Sequence, residues 1–412
     1  MATRSSSAPL AILGGPPAFA EPLLVGRPLI RRRRAWFSRL GDALDRRWLS
    51  NNGPFVRQFE QAVARRLAVR HVVATANGTL GLQLALRALN LHGEVIVPSF
   101  TYVATAHAAA WEGLTPVFCD VDLQTHNLDP GAVERLITRR TSAILGVHLW
   151  GRPAPVGRLA RIAKRHGVRL LYDAAHAFGC SARGRMIGNF GDAEVFSFHA
   201  TKSVTTIEGG AVATNNGALA DRLRRLRRFG LSPDGEVETL GTNATMSEVN
   251  AALGLTTLEA FDEIVAHNRR CYTRYVEGLS GLPGIEVLPY DAREQTTYPF
   301  VVLDVGADAP FSRDEVAALL EAEGVHARRY FAPGCHRLPP YRRADARPRL
   351  PNTERLCRSL LTLPSGQAVT DRQVRTLTAV LRRAWADAPA VRQALAGRRQ
   401  STNGRARRER TA

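Results

Sequence analysis

The sequence predicts an α/β fold: a large domain on a mostly parallel sheet, followed by a smaller α+β C-terminal domain. Three observations carry this. Between residues 60 and 215 short apolar runs alternate with segments of helical periodicity, as in strands joined by crossover helices. The runs are apolar at nearly every position, so both faces of the sheet must be covered. Beyond residue 280 the alternation gives way to two closely spaced strand candidates and separated helices.

The elements follow in order. HVVATA (71–76) reads as a strand and GTLGLQLALRALNL (78–91) as a helix; EVIVP (94–98) is a strand, VATAHAAAWEG a helix and PVFCDVD (116–122) a strand. PGAVERLITRR is helical, TSAILGVHL a strand, PVGRLARIAKRHG helical, and VRLLYD (168–173), AEVFSFH (193–199) and GGAVATN (209–215) are strands. Residues 247–279 predict one long helix bridging the domains, with Thr245 and Glu248 as its capping box. Strands at 285–290 and 297–305, the helix SRDEVAALLEAEG and a helix at DRQVRTLTAVLRRAWA complete the second domain. The Pro-rich stretch 328–352 is a loop of the length usually kept for function. The expected division is an N-terminal arm (1–21), a large domain (22–262), a small domain (263–388) and a basic disordered tail (389–412).

Composition narrows the function classes. With 45% hydrophobic and 23% charged residues the 412-residue chain is ordinary globular protein. No apolar run spans a bilayer, and the first twenty residues carry one Arg before a Gly/Pro-broken patch, so neither a membrane span nor a signal peptide is expected. Five cysteines, widely spaced and without a CxxC pair, argue against a disulfide framework or a zinc site and point to the cytoplasm. The net charge of +19 is concentrated at Arg31 to Arg34, at 222–228 and after Arg398. No helix-turn-helix, zinc-finger or RNA-binding pattern accompanies it, so it reads as solvated surface and tail, with no nucleic-acid partner.

Of the 56 basic residues only Lys164 and Lys202 are lysines. Arginine supplies charge anywhere, but only lysine can lose its proton and condense with a carbonyl. Lys164 sits on an amphipathic helical pattern, where a solvated lysine is unremarkable. Lys202 directly follows an apolar strand, in SFHATKSVTTIEGG.

Three other features converge with it. Asp173 ends a buried strand, where a parallel sheet places its ligands, and a buried carboxylate there requires a cationic partner such as a pyridinium nitrogen. Asn77-Gly78-Thr79 stands between a strand and a helix, where free N–H groups, the helix dipole and a glycine form a phosphate cradle. Alone, a Gly-Thr helix start is only a turn and cap. Tyr102, past another strand, can stack on a planar ring, although a lone tyrosine is more often core. Amine, acid, dipole and aromatic together specify pyridoxal 5'-phosphate.

On these residues the chain resembles the DegT/StrS-type nucleotide-sugar aminotransferases, fold type I pyridoxal-phosphate enzymes. The blocks WLSNNGPFVRQFE, ANGTLGLQLAL, VPSFTYVATAHA, FCDVD, VHLWGRP, LYDAAHAFG, SFHATKSVTTIEGGAV, GTNATMSEVNAALGL and RRYFAPGCHRLPPYR stand in the family's order between Pro22 and Ala384. The resemblance implies Lys202 as the Schiff-base lysine and proton carrier, and Asp173 on the pyridine nitrogen. It also implies His176 at the cofactor, Gly78, Thr79 and Ser197 at the phosphate, and Tyr102 on the ring. Asn243 would reach the neighbouring subunit's phosphate, giving a homodimer with shared sites; Tyr330, Phe331 and His336 would lie near the sugar. Thr245 stands where the family often has Arg, and His176 where Gln is commoner. His199 reads as local packing, having no spaced metal partner. No HExxH, Walker or GxGxxG pattern occurs.

The implied reaction moves an amino group from glutamate to a nucleotide-linked keto-deoxy sugar, foremost dTDP-4-keto-6-deoxyglucose, in deoxyamino-sugar biosynthesis. A 3-keto sugar or keto-cyclitol acceptor stays open, as does a cofactor-binding regulator. A sugar dehydratase is disfavoured, because such relatives carry histidine in place of the Schiff-base lysine.

Overall fold

The computed structural model describes residues 9–342 and 348–408, with side chains up to 398. After a short strand β1 (Leu23–Leu24) and helices α1 (Arg33–Asp45) and α2 (Pro54–Leu67), the chain alternates. It runs β2 (His71–Thr75), α3 (Gly78–Ala88), β3 (Glu94–Pro98), α4 (Ala104–Trp111), β4 (Thr115–Cys119), α5 (Pro130–Leu136), β5 (Thr141–Val147), α6 (Val156–His166) and β6 (Arg169–Asp173). A small hairpin, β7 (Ser181–Ala182) and β8 (Arg185–Met186), precedes β9 (Ala193–Ser197), β10 (Gly210–Thr214) and α7 (Gly217–Leu226).

Seven of these strands form one sheet in the order β2-β10-β9-β6-β5-β3-β4. Its β10 runs antiparallel to both neighbours, and the β9-β6-β5-β3-β4 pairings are parallel. The carboxyl ends of β2, β9, β6 and β3 therefore open on one edge. The two-residue period of a strand sorts the apolar side chains. Ile96, Ile144, Leu170, Tyr172 and Phe196 enter one core with α2 and α6, while Val97, Leu145, Leu171 and Val195 enter another with α3, α4 and α7. The expected mainly parallel, doubly covered sheet is the observed one.

Helix α8 (Glu248–Glu259) packs on α1 and α2 in the large-domain core, and the chain continues through α9 (Phe261–Leu279), β11 (Ile285–Val287), β12 (Val301–Val305), α10 (Arg313–Ala322), β13 (Val325–His326), α11 (Pro351–Ser359), β14 (Leu360–Leu363) and α12 (Asp371–Ala386). An antiparallel β11-β12-β14 sheet shares a core with α9, α10 and α12.

Three expectations need correction. The bridging helix is two helices, broken at Ala260 (φ −94°, ψ 5°), and the redirected chain sets Phe261 edge-on to Phe178 at 5.3 Å. Its cap is Ser247, whose side chain accepts from the Asn250 N–H at 3.2 Å, and not a Thr245–Glu248 box. Glu248 is spent elsewhere: fully buried, it accepts the N–H groups of Phe55 and Val56, each at 2.8 Å, at the start of α2.

The third correction concerns the tail read as disordered from 389. Residues Ala388–Arg408 form a further helix, α13, whose Val391 and Leu395 are buried in the small-domain core with Leu10 and Ile12. An i, i+4 apolar pair anchors it, and the density of arginines obscured that pair. Residues 1–8 of the arm, 343–347 of the Pro-rich loop and 409–412 of the tail lie outside the described residues.

Candidate active site

A cavity of about 1130 Å³ opens where the strand ends meet the small domain. Of the predicted site residues, Gly78, Thr79, Tyr102, Asp173, His176, Ser197, Lys202, Tyr330 and Phe331 all line it.

The lysine is set by a loop that bonds to itself. The Phe198 N–H donates to Gly209 O (2.8 Å), Thr206 N–H to Phe198 O (2.9 Å) and Lys202 N–H to His199 O (2.9 Å). Thr205 and Thr206 are buried beneath it, leaving the Lys202 side chain half-buried and facing the cavity. Burial pushes its ammonium from the ordinary 10.5 down to about 8, against the opposing pull of Asp173.

Asp173, the last residue of β6, is 7% exposed. Its Oδ2 accepts from Thr105 Oγ1 (2.8 Å) on α4 and its Oδ1 from the Ala175 N–H (3.0 Å). Both donors are neutral. Burial consequently raises its pKa, partly offset by those two hydrogen bonds and by Lys202. A cation on the cavity side would reverse that penalty.

His176 accepts the Trp150 N–H on Nδ1 at 3.3 Å, which puts its own proton on Nε2. Burial and the nearby Lys202 hold its imidazole well below the usual range, so it is neutral. It stacks on Trp150 (6.1 Å) and meets Phe300 at 4.6 Å, while Phe331 stacks on Trp150 at 5.2 Å. Tyr102, also on the cavity wall, is 59% exposed.

The helix start behaves as an anion cradle. Asn77 caps α3 by accepting the Leu80 N–H on Oδ1 at 2.9 Å, and the Gly81 N–H goes to Asn77 O. That leaves the first two helical N–H groups, of Gly78 and Thr79, for a ligand. A Cβ on Gly78 would stand 3.2 Å from Ser197 Cβ; one on Gly210 would stand 2.6 Å from the Asn77 carbonyl and the Gly78 nitrogen. Glycine at both positions keeps the cradle open. A buried acid hydrogen-bonded by neutral donors, a low-pKa amine, an exposed ring and a glycine-lined helix N-terminus fit pyridoxal 5'-phosphate.

Three further residues singled out in the sequence take other positions. His336 does not line the cavity: it is buried, with Nδ1 2.6 Å from Ser99 Oγ, and packs the loop onto the sheet. Asn243 does not line its own chain's cavity either; it is exposed and accepts from Thr245 Oγ1 at 3.1 Å. His199 is exposed on the cavity wall, 3.6 Å from Glu208, where packing was expected. The sequence reading missed Thr105, Gly210 and Phe300. A hydroxyl one helical turn past Tyr102 and the doubled glycine of IEGG were the available signals.

A parallel sheet that offers a desolvated lysine, an opposed buried carboxylate and a helix N-terminus at one edge defines a fold type I pyridoxal-phosphate transferase. The chain belongs to the DegT/DnrJ/EryC1/StrS aminotransferase family, whose model matches residues 32–382. Enzymes of this family depend on pyridoxal 5'-phosphate. A dTDP-4-amino-4,6-dideoxy-D-glucose transaminase of Shigella dysenteriae is 34% identical over 313 residues, covering 76% of this chain and 85% of the relative. A dTDP-3-amino-3,4,6-trideoxy-alpha-D-glucose transaminase of Streptomyces venezuelae is 37% identical over 341 residues, covering 81% and 88%. Among solved structures, DesI in the presence of its TDP-sugar product superposes with a TM-score of 0.88 at 49% identity, covering 96% of this chain and 99% of that one.

Proposed function

We propose that this enzyme transfers an amino group from glutamate to a nucleotide-linked keto-deoxy sugar, with dTDP-4-keto-6-deoxyglucose as acceptor. The observation that carries the reading is Lys202, a half-buried amine that faces one cavity with the buried acid Asp173 and the helix start at Gly78. The 49% identity to DesI and the 34% identity to a 4-amino-sugar transaminase support the sugar class and the ring position.

When bound, the cofactor supplies an electron-accepting ring and carries the nitrogen between the two half-reactions. Every other task falls to the chain. Lys202 would hold the cofactor covalently, and its neutral amine would accept the proton from the substrate carbon and give it back. A lysine at 10.5 would be protonated and unable to accept. Asp173, held by Thr105 and Ala175, would keep a proton on the cofactor's ring nitrogen. The N–H groups of Gly78 and Thr79, with Ser197, would bind the phosphate, Tyr102 would stack on the ring, and neutral His176 would flank it without competing charge. Tyr330 and Phe331 shape the sugar side. The reading includes a homodimer in which Asn243 serves the partner's site, and a cytoplasmic location. No helix among the described residues is long and apolar enough to cross a membrane.

The test is the visible spectrum of the purified protein before and after glutamate. A yellow band that bleaches with glutamate and returns with the keto sugar is expected; a protein that neither carries nor binds the cofactor refutes the proposal. The 37% identity to a 3-amino-sugar transaminase keeps the 3-keto acceptor as second reading, decided by the position of nitrogen in the product.

A further inference from the structure

The Lys and Arg side chains that line the cavity are Arg27, Arg87 and Lys202. Lys202 is committed to the chemistry, and Arg87 is held by Glu112, Nε to Oε2 at 2.6 Å. Arg27 is exposed and has no hydrogen bond or ion pair among the described residues.

Its position is nevertheless fixed by the backbone. Upstream, Leu23 and Leu24 pair in parallel with Val325 and His326 of the small domain. Gly26 then turns at φ +76°, where a Cβ would stand 3.1 Å from Thr201 Cγ2, next door to Lys202. Pro28 restricts Arg27 to extended backbone. Residues 25–29 all line the cavity, so they form a strap from the small domain along the lysine loop, with one unpaired guanidinium on it.

We propose that Arg27 binds the diphosphate of the nucleotide-linked acceptor. The inference rests on the sugar-nucleotide reading above. The keto carbon must reach Lys202 at the cavity floor, so the diphosphate, attached elsewhere on the sugar ring, points toward the rim, where Arg27 stands exposed. A guanidinium can donate two parallel hydrogen bonds to phosphate oxygens, which the ammonium of a lysine cannot match. The α-carboxylate of glutamate lies one bond from the reacting carbon and belongs at the floor.

The test uses thymidine diphosphate as probe on the full-length, cofactor-loaded enzyme. Binding is measured by titration calorimetry at low and high salt for wild type, Arg27→Ala and Arg27→Lys, and the glutamate half-reaction of each is followed by absorbance. Arg27→Ala should weaken the diphosphate by about 10- to 100-fold, most at low salt, and Arg27→Lys by less. The glutamate half-reaction should stay within about twofold, an exposed side chain without a hydrogen bond to the lysine loop being removed. Unchanged diphosphate binding, or a slowed glutamate half-reaction in its place, overturns the assignment while leaving the enzyme's proposed reaction standing. A wild type that reacts with glutamate but binds no thymidine diphosphate refutes the sugar-nucleotide reading itself, and Arg27 with it.

Discussion

Lys202 gives the sharpest prediction, because its depressed pKa has a direct kinetic consequence. A lysine titrating at about 8 is neutral in about one molecule in eleven at pH 7, whereas one at the ordinary 10.5 is neutral in about one in three thousand. A pKa of about 8 would thus raise the reactive fraction by about 300-fold. The assay is the rate at which apoenzyme captures pyridoxal 5'-phosphate, followed by absorbance between pH 6 and 10. The rate should climb about tenfold per pH unit below pH 8 and level off above it, with the neutral amine the reactive form. Asp173→Asn supplies the internal check. The aspartate favours the charged ammonium, so its removal should shift the inflection below that of wild type. A wild-type inflection near 10, or an upward shift in the variant, would refute the electrostatic argument.

Other consequences follow from the same geometry. Asp173→Asn should also lower turnover by about 10- to 100-fold, the scale of a lost charge-assisted hydrogen bond, with the fold intact by circular dichroism. Gly210→Ala places a methyl 2.6 Å from the Asn77 carbonyl and Gly78 nitrogen, so cofactor affinity should fall by at least about tenfold in a fluorescence titration. Removing residues 388–412 strips Val391 and Leu395 from the small-domain core, a loss of roughly 3–6 kcal/mol at most. The urea midpoint should drop, whereas deletion of a merely solvated tail would leave it in place.

What could be read in advance depended on how local each signal was. Strand ends are marked by neighbouring residues, so Asp173, Ser197 and the helix start at Gly78 were legible, and the scarcity of lysine singled out Lys202. The sheet was legible for the same reason, each apolar run being complete in itself. Tertiary competition hid the rest. Glu248 looked like a capping residue until α2 claimed its carboxylate, and the break at Ala260 serves Phe261's contact with Phe178, 83 positions back in sequence. His336 sat in a loop of functional length, but Ser99 takes its ring into the core. Arg27 was one of 54 arginines, and only the strap geometry separates it from the solvated ones.

The central claim is that the amine at position 202 carries the cofactor. With only two lysines in the chain it admits a direct test: reduce the holoenzyme with borohydride, digest it, and map the pyridoxyl group by mass spectrometry. Modification of the peptide containing Lys202 is the predicted result. Modification of Lys164, or of neither lysine, would contradict the account.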